Sequence, residues 1–484
     1  MNAADLFSDI ETLDVRGPAA VEIRGLACDS RKVTPGACFV AIAGSREDGA
    51  AYLSDALERG AAAVVSQSEL FTGAGVLHVR VADARRALAE LADRFHGRPS
   101  RELKLAGVTG TNGKTSVAYL LRDLLRAGGR NPGLIGTVAY EIGDHVLPAS
   151  RTTPDAVELN ELLRRMRRTG CDCAAMEVSS HAIDQQRAGA LDFDVGVFTN
   201  LTRDHLDYHR DMESYFAAKA RFFEGLKPEA VAVLNLDDPA GRRLAESGAL
   251  PERRLFYGIS SAGADLRATA LRTGVEGSRF RVSTPWGEAE ATLPIPGRFN
   301  VANALAALAA GGAMGLPFEG MLEALCVVSG APGRMEPVAH RNDRRVFVDY
   351  AHTDDALRNV LSALREICVG RLIVVFGCGG DRDAGKRPLM GAAASELADV
   401  SVLTSDNPRS EEPEAIIEQI LPGFSPEAHC LVEPDRRAAI ASAIAMLEPG
   451  DLLLVAGKGH ESCQERNGVI VPFDDREIVR ELFR

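Results

Sequence analysis

"GVTGTNGKTS" (Gly107–Ser116) decides how this chain is read. A glycine-rich turn that closes on Lys-Thr is the layout of a phosphate-binding loop, provided that a strand precedes it and a helix follows. Both flanks comply: "KLAGVTG" is an apolar run ending in glycine, and "KTSVAYLLRDLLRAGG" is a helical pattern stopped by two glycines. The common template G-x-x-x-x-G-K-[ST] is missed by one position. Its first glycine would fall at 108, where Val108 stands, and the glycines sit instead at Gly107, Gly110 and Gly113. Gly110 and Gly113 let backbone N–H groups turn inward around phosphate oxygens, and the helix from Lys114 adds its positive end. Lys114 can reach the outer phosphates and the Thr115 hydroxyl can ligate Mg²⁺. The bland alternative, a tight turn with a surface lysine, leaves the flanking pattern unexplained.

The alternation continues outward from the loop. "CAAMEVSS", "DVGVFTN" and "AVAVLN" read as strands separated by helical segments, which implies a mainly parallel sheet covered by helices. Residues 254–295 have the period-two texture and turn residues of antiparallel hairpins. Before the loop, "ACFVAIAG", "YLSDALERG", "AAAVVSQ" and "ADARRALAELADRFHG" form a small α/β unit closed by the linker "GRPSRELK". Beyond "SGAPGRMEP", the segments "VFVDYAH", "RLIVVFGCGG", "VSVLTSDNP" and "DLLLVAGKGH" each carry polar residues just after a strand, where open parallel sheets bind ligands. The expected architecture is α/β with three domains: an N-terminal α/β unit over residues 1–99, a central P-loop-type sheet over 100–330, and a C-terminal Rossmann-like unit over 331–484. A length of 484 residues suits several cores.

Bulk properties narrow the class. With 46% apolar and 25% charged residues the composition is globular, and a net charge of −13 weighs against general nucleic-acid binding. No apolar run reaches membrane-spanning length, and "MNAADLFSDIETLD" lacks a secretory pattern, so a cytoplasmic protein is expected. Nine scattered cysteines suggest reduced thiols rather than a disulfide framework or a zinc site.

The glycine spacing G-T-N-G-K-T resembles the loop of the Mur ligases and their folylpolyglutamate synthetase relatives. "MEVSSH", "FTNLTRDHLDYH", "GRFNVANALAA", "GRME", "DYAH", "GGDRDAGKRPLMG", "SDNPRSEEP" and "AGKGHE" follow in the family's order, so the resemblance covers most of the chain. It implies an ATP-dependent ligase that turns a carboxylate into an acyl phosphate, which an amine then displaces. It places ATP on Gly110, Thr111, Asn112, Gly113, Lys114, Thr115 and Ser116, with Asn300, Asn303, Arg334 and Asp349 at the adenine and ribose. Lys114, His205 and Lys219 are the implied catalytic residues, and Mg²⁺ is the implied cofactor, held by Thr115, Glu177 and His205. Read without the family, His205 and His209 are either an i, i+4 metal pair or solvated polar residues. Lys219, in "YFAAKARFF", is either a snorkelling surface lysine or a buried amine of low pKa. The resemblance makes it an N6-carboxylysine, a cation converted into a metal-binding anion.

The same resemblance implies a UDP-MurNAc-L-Ala-D-Glu substrate. Cys28, Ser30, Ser45, Arg46 and Glu47 would hold its nucleotide end, and Thr152, Thr153, Ser179, Gln185 and Arg187 its muramoyl-peptide. Arg151 stands where the family has Asn, and an arginine there can pair with an anionic substrate directly. "DNPR" (Asp406, Asn407, Pro408, Arg409) selects the amine. Arg409 can grip the far carboxylate of meso-diaminopimelate while Asp406 and Asn407 receive the neighbouring ammonium, whereas lysine would leave the guanidinium unpaired. Arg382, Gly457 and Glu461 complete the implied amino-acid contacts. Rivals are a lysine-adding or dipeptide-adding ligase of the same fold, a P-loop hydrolase or kinase, and an inactive nucleotide-binding scaffold. The expected partners are the three small molecules alone, bound by a monomer.

Overall fold

The computed structural model describes residues 1–18, 20–44, 47–69, 75–248 and 250–483. Among the described residues three large sheets carry the chain, and a two-stranded ribbon, Cys463–Arg466 with Val469–Pro472, lies beyond the last of them in sequence. The N-terminal sheet runs in the order Asp14–Arg16, Leu77–Arg80, Ala63–Ser66, Ala37–Val40, Gly25–Ala27. Its first strand is antiparallel and the others are parallel. The helix Ala84–Phe95, started by the Asp83 side chain, lays Ala84, Leu88, Leu91 and Ala92 on this sheet.

The central sheet has eleven strands. Seven are parallel, in the order Pro132–Ile135, Cys173–Glu177, Lys104–Thr109, Val195–Phe198, Val231–Asn235, Arg253–Gly258, Leu266–Gly274, the last of these also opening the antiparallel hairpins. Hairpins extend both edges: Ala139–Ile142 with His145–Pro148 on one side, and Leu266–Gly274, Gly277–Thr284 and Gly287–Leu293 on the other. The antiparallel texture expected from 254 therefore begins only at Leu266. Arg253–Gly258 pairs parallel with Val231–Asn235 because it still returns through the helix Pro239–Glu246.

The C-terminal sheet is ordered Glu336–Arg341, Arg344–Asp349, Leu452–Ala456, Leu372–Phe376, Val400–Leu403, Cys430–Val432, and only its first pair is antiparallel. "LIVVF" and "LLLVA" are buried at every position, as strands covered on both faces must be. The helices Arg298–Ala313 and Asp354–Ile367 join one hydrophobic cluster across the central and C-terminal sheets. A Cβ on Gly297 would sit 3.2 Å from the Ala363 methyl. Polar bridges between the two units include Arg334 to Thr115 (3.2 Å), Asn112 to Asp355 (2.9 Å), Arg203 to Asp383 (3.7 Å) and Arg345 to Glu276. The loops after Thr109, Glu177 and Phe198 are thereby turned toward those after Phe376, Leu403 and Ala456. Among the described residues no helix is long and apolar enough to cross a membrane.

Candidate active site

Steric demand accounts for the displaced glycines of the loop. Val108 is fully buried inside the strand Lys104–Thr109, so no turn glycine belongs there. A Cβ on Gly107 would meet Phe193 and Phe222 at 2.7 Å, which makes that glycine a packing requirement. Gly110 (φ 147°) and Gly113 (φ 87°) shape the turn itself, where a Cβ would collide with Thr199 Oγ1 at 1.8 Å and Asn303 Oδ1 at 2.4 Å. "FTNLT" braces the loop from outside. Thr111 N donates to Asn200 O (2.9 Å), Asn112 N to Asn200 Oδ1 (2.9 Å), and the Thr199 hydroxyl to Asn112 O (2.6 Å). The N–H groups of the first helical turn, from Lys114, have no intrahelical acceptors and suit an anion.

Two lysines, Lys219 buried and Lys114 partly so, converge on this loop. Lys114 Nζ donates to Gly110 O (2.9 Å) and Thr111 O (2.6 Å), and Lys219 Nζ donates to the same Gly110 O (2.7 Å) while lying 4.4 Å from the Tyr215 ring centre. Lys219 is only 1% exposed, so the snorkelling alternative is excluded. Burial, reinforced by the Lys114 charge, holds its amine far below the ordinary lysine range, and burial also lowers Lys114.

Glu177 ends its strand beneath the loop. It accepts Thr137 N (2.7 Å), the Thr137 hydroxyl (3.1 Å) and the Thr115 hydroxyl (3.0 Å). Arg334 Nη2 reaches the same Thr115 Oγ1 from the C-terminal unit, its guanidinium 4.4 Å from the Tyr350 ring centre. His205, at φ 54°, lies 3.5 Å from Asp204, and burial pushes its imidazole down to about 4, leaving a neutral nitrogen able to ligate. His209 instead pairs with Ser180 (3.0 Å), so the two histidines do not form an i, i+4 ligand pair. The oxygens of Thr115 and Glu177 are the hard donors that Mg²⁺ prefers. Among the described residues no three His, Cys, Asp or Glu side chains gather around one metal position. A Mg²⁺ here would thus draw most of its ligands from phosphate and water, its usual habit.

Three cavities run together around these groups. One of about 170 Å³ is lined by Thr111 to Ser116, Glu177, Lys219 and Arg334. One of about 730 Å³ lies against the N-terminal sheet and is lined by Cys28, Ser30, Glu47, Gln185 and Arg187. Between them a cavity of about 500 Å³ shares Arg151 and Arg187 with the second, and Thr152, Ser179 and His205 with the first. Thr153 lines this middle cavity, and its hydroxyl bonds Glu177 O at 2.9 Å. Arg382, Asp406, Asn407, Arg409, Gly457 and Glu461 line its far end. Ser45 and Arg46 lie outside the described residues.

Not every expected contact faces a cavity. Asn300 donates to Pro296 O (2.8 Å) and accepts from Asn303 (3.3 Å). The Asp349 carboxylate is buried on Met335 N (2.6 Å) and Ala351 N (2.8 Å), which secures the chain entering the C-terminal unit. Pro408 shapes the turn against Gly380 without lining the cavity. At the far end, Arg409 (φ 52°) donates to Gly380 O (2.7 Å) and lies 3.5 Å from Glu465. Asp406 Oδ1 accepts Asn407 N (2.7 Å), while its Oδ2 is buried without a partner. Gly457 (φ 114°) must be glycine, since a Cβ would stand 2.5 Å from that oxygen.

Thr137, Asn200, Asp204, Tyr350 and His352 also belong to the site, although the sequence did not single them out. Thr137 and Asn200 do follow strand ends, the one signal that marks them.

Family models match nearly the whole length: a Mur ligase family catalytic domain over 22–96, the Mur ligase middle domain over 108–311, and the Mur ligase glutamate ligase domain over 333–459. The UDP-N-acetylmuramoyl-L-alanyl-D-glutamate--2,6-diaminopimelate ligase of Geobacter metallireducens is 43% identical over 507 residues, covering 100% of this chain and 98% of the relative. A solved structure of a ligase of that same name shares 35% identity with a TM-score of 0.73, covering 100% and 98% of the two chains. The MurF ligase of Thermotoga maritima, solved with ADP, shares the fold at 20% identity and a TM-score of 0.65, covering 95% and 97%. The three matched domains, in order and around one connected cavity, make this chain a member of the Mur ligase family.

Proposed function

We propose that this chain is an ATP-dependent ligase that joins meso-diaminopimelate to the D-Glu carboxylate of UDP-MurNAc-L-Ala-D-Glu, a step of peptidoglycan precursor synthesis. The observation that carries the reading is the middle cavity, which touches the phosphate loop on one side and ends in Arg382, Arg409, Asp406 and Glu461 on the other. An acyl acceptor and an amine held there would meet beside the phosphate loop. The names of the full-length relatives support the same substrates.

In this account Lys114 leaves the carbonyls of its own loop to neutralise the transferring phosphoryl group, and Arg334 adds charge from across the cleft. Arg151 and Arg187 stand where the UDP-linked substrate must pass from its nucleotide pocket to the reaction centre, and their charge suits its carboxylate. Thr115 and Glu177 would hold one Mg²⁺ and His205 a second, and the metal would supply charge neutralisation at the phosphates. Burial holds the Lys219 amine well below the ordinary lysine range, which favours the unprotonated form that reaction with CO₂ requires: a C–N bond forms, a proton leaves, and a carbamate anion results. No side chain need form a covalent intermediate with substrate. Asn303, packed on Gly113, and Asn300 behind it shape the nucleotide end of the loop. The domains are assigned to 1–99, 100–330 and 331–484, in a cytoplasmic monomer.

The test is product analysis with Mg²⁺-ATP, UDP-MurNAc-L-Ala-D-Glu and meso-diaminopimelate. ADP release that requires the amine, with an amide product of the expected mass, is the result of a ligase. Phosphate release indifferent to the amine would instead indicate a P-loop hydrolase.

A further inference from the structure

Lys458, the lysine of "GKGHE", is fully buried at the floor of the amino-acid end of the cavity. Its Nζ donates to Asn407 Oδ1 (3.0 Å) and Glu461 Oε2 (3.0 Å). Asn407 Nδ2 donates in turn to Glu461 Oε2 (2.8 Å), and Glu465 N donates to Asn407 Oδ1 (3.1 Å). An ammonium has only donors, so the Asn407 oxygen must face Lys458 and its NH₂ must face Glu461. Glu461 Oε2 is then doubly occupied, and among the described residues its Oε1 has no hydrogen-bond partner in a side chain that lines the cavity.

The charges around this floor make the same point. Asp406, Glu461 and Asp475 supply three carboxylates against two buried cations, Lys458 and Arg436. Arg436 is committed to Asp475 (2.7 Å) and to the carbonyls of Ser405 (3.3 Å) and Ala456 (2.9 Å), one residue before Asp406 and Gly457. Within this buried cluster one negative charge is left over, carried on Asp406 and Glu461, which both line the cavity, while Arg382 and Arg409 at the same end are the cations left for carboxylates. A single ammonium matches it. Without Lys458 the surplus in this cluster would be two, Asn407 Oδ1 would keep only the Glu465 N–H, and Glu461 Oε2 would keep only the Asn407 amide.

The geometry points to Lys458 as a positioning residue for amino-acid selection, one that fixes Asn407 and Glu461 so that Glu461 presents one free oxygen to the ammonium of the incoming amino acid. This rests on the ligase reading. Lys458 touches neither nucleotide nor muramoyl-peptide pocket, so its effect is confined to one of three substrates.

The experiment is steady-state kinetics on the full chain with Lys458→Met, Glu461→Gln, the double variant and Asn407→Asp, varying each substrate in turn. For Lys458→Met the KM for meso-diaminopimelate should rise about 30-fold or more, as loss of a charged hydrogen-bond network implies. The KM values for ATP and the UDP-linked dipeptide should stay within about twofold. Because Lys458 acts through Glu461, the double variant should fall within about threefold of the worse single variant. Should Lys458→Met fail to fold, Asn407→Asp keeps a partner for Lys458 but sets two carboxylates against each other, and the same selective rise is expected. A KM for diaminopimelate unchanged in both variants, equal rises for all three substrates, or multiplicative losses in the double variant would overturn the proposal. Wild-type protein that forms no amide with diaminopimelate would instead overturn the ligase reading on which it stands.

Discussion

Glu177→Gln separates a structural from a chemical role at the phosphate loop. The carboxylate is 1% exposed and accepts three hydrogen bonds, from Thr137 N, the Thr137 hydroxyl and the Thr115 hydroxyl. A glutamine is isosteric. Its oxygen can keep Thr137 N, and both hydroxyls can rotate to accept from its NH₂. The number of bonds survives, and exchanging charge-assisted for neutral bonds costs about 1–2 kcal/mol. The charge does not survive. A unit charge about 4 Å from a cation is worth about 4 kcal/mol at an effective dielectric near 20, and tenfold in rate corresponds to about 1.4 kcal/mol. Ligase kcat/KM for Mg²⁺-ATP should therefore fall by about three decades, with part of the loss recovered at high Mg²⁺. Affinity for the UDP-linked dipeptide, held mostly by other residues, should change less than about twofold, and thermal unfolding should shift by only a few degrees. Initial rates across a Mg²⁺ series, calorimetry of dipeptide binding and a melting curve supply the three readouts. Retention of more than a tenth of the activity, or a collapse of dipeptide binding together with the melting temperature, would refute the assignment of Glu177 to the metal.

Arg409→Met should lower kcat/KM for meso-diaminopimelate by about two to three decades through loss of a bidentate charged contact. Use of lysine should hardly change, and an unaltered preference in paired kinetics would remove Arg409 from selection. Gly457→Ala forces a Cβ to within 2.5 Å of Asp406 Oδ2 at φ 114°, so the KM for the amino acid should rise about tenfold with a stability loss of about 1–3 kcal/mol; titration of the amino acid and a denaturant melt would show both. His96 is buried, with neither ring nitrogen hydrogen-bonded, and burial pushes it from 6.5 down to about 4. Its folded-state value is lowered, so the unfolded chain takes up the proton first and stability is lost as pH falls from 6.5 toward 4, by about 3 kcal/mol. Nearby Asp93, raised by burial to about 6, works in the opposite direction, losing stability as pH rises from 4 to 6. Comparing the pH dependence of unfolding in wild type and His96→Phe isolates the first contribution. A parallel offset at every pH would contradict it.

The strand–loop–helix logic carried much of the fold because parallel strands and their helices write long, unambiguous apolar patterns. "LIVVF" and "LLLVA" are legible for that reason, as are the polar runs that follow them. The hairpin His145–Pro148 with Ala139–Ile142 was missed, since four-residue edge strands leave too short a period to separate from turns. Arg253–Gly258 reads as the start of the hairpins because it is short, only partly buried and lies directly before them, so nothing in its pattern marks the parallel pairing. At the site, residues placed by a local pattern were readable as cavity lining: Lys114 and Thr115 in the glycine-rich loop, Arg409 in a turn. Residues whose role depends on burial were not. Nothing in "YFAAKARFF" says that Lys219 shares a carbonyl with Lys114, and a lysine between two glycines gives no sign of the buried clamp that Lys458 makes. Asp349 and Asn300 show the converse, polar residues beside the nucleotide loop whose hydrogen bonds turn out to secure backbone.

The most direct measurement is the ratio of kcat/KM for meso-diaminopimelate to that for L-lysine, with saturating Mg²⁺-ATP and UDP-MurNAc-L-Ala-D-Glu and the product weighed by mass. A far carboxylate paired with Arg409 predicts a preference for diaminopimelate of about a hundredfold or more and a tripeptide product containing it. Equal or better use of lysine would contradict the account of the amino-acid end of the cavity.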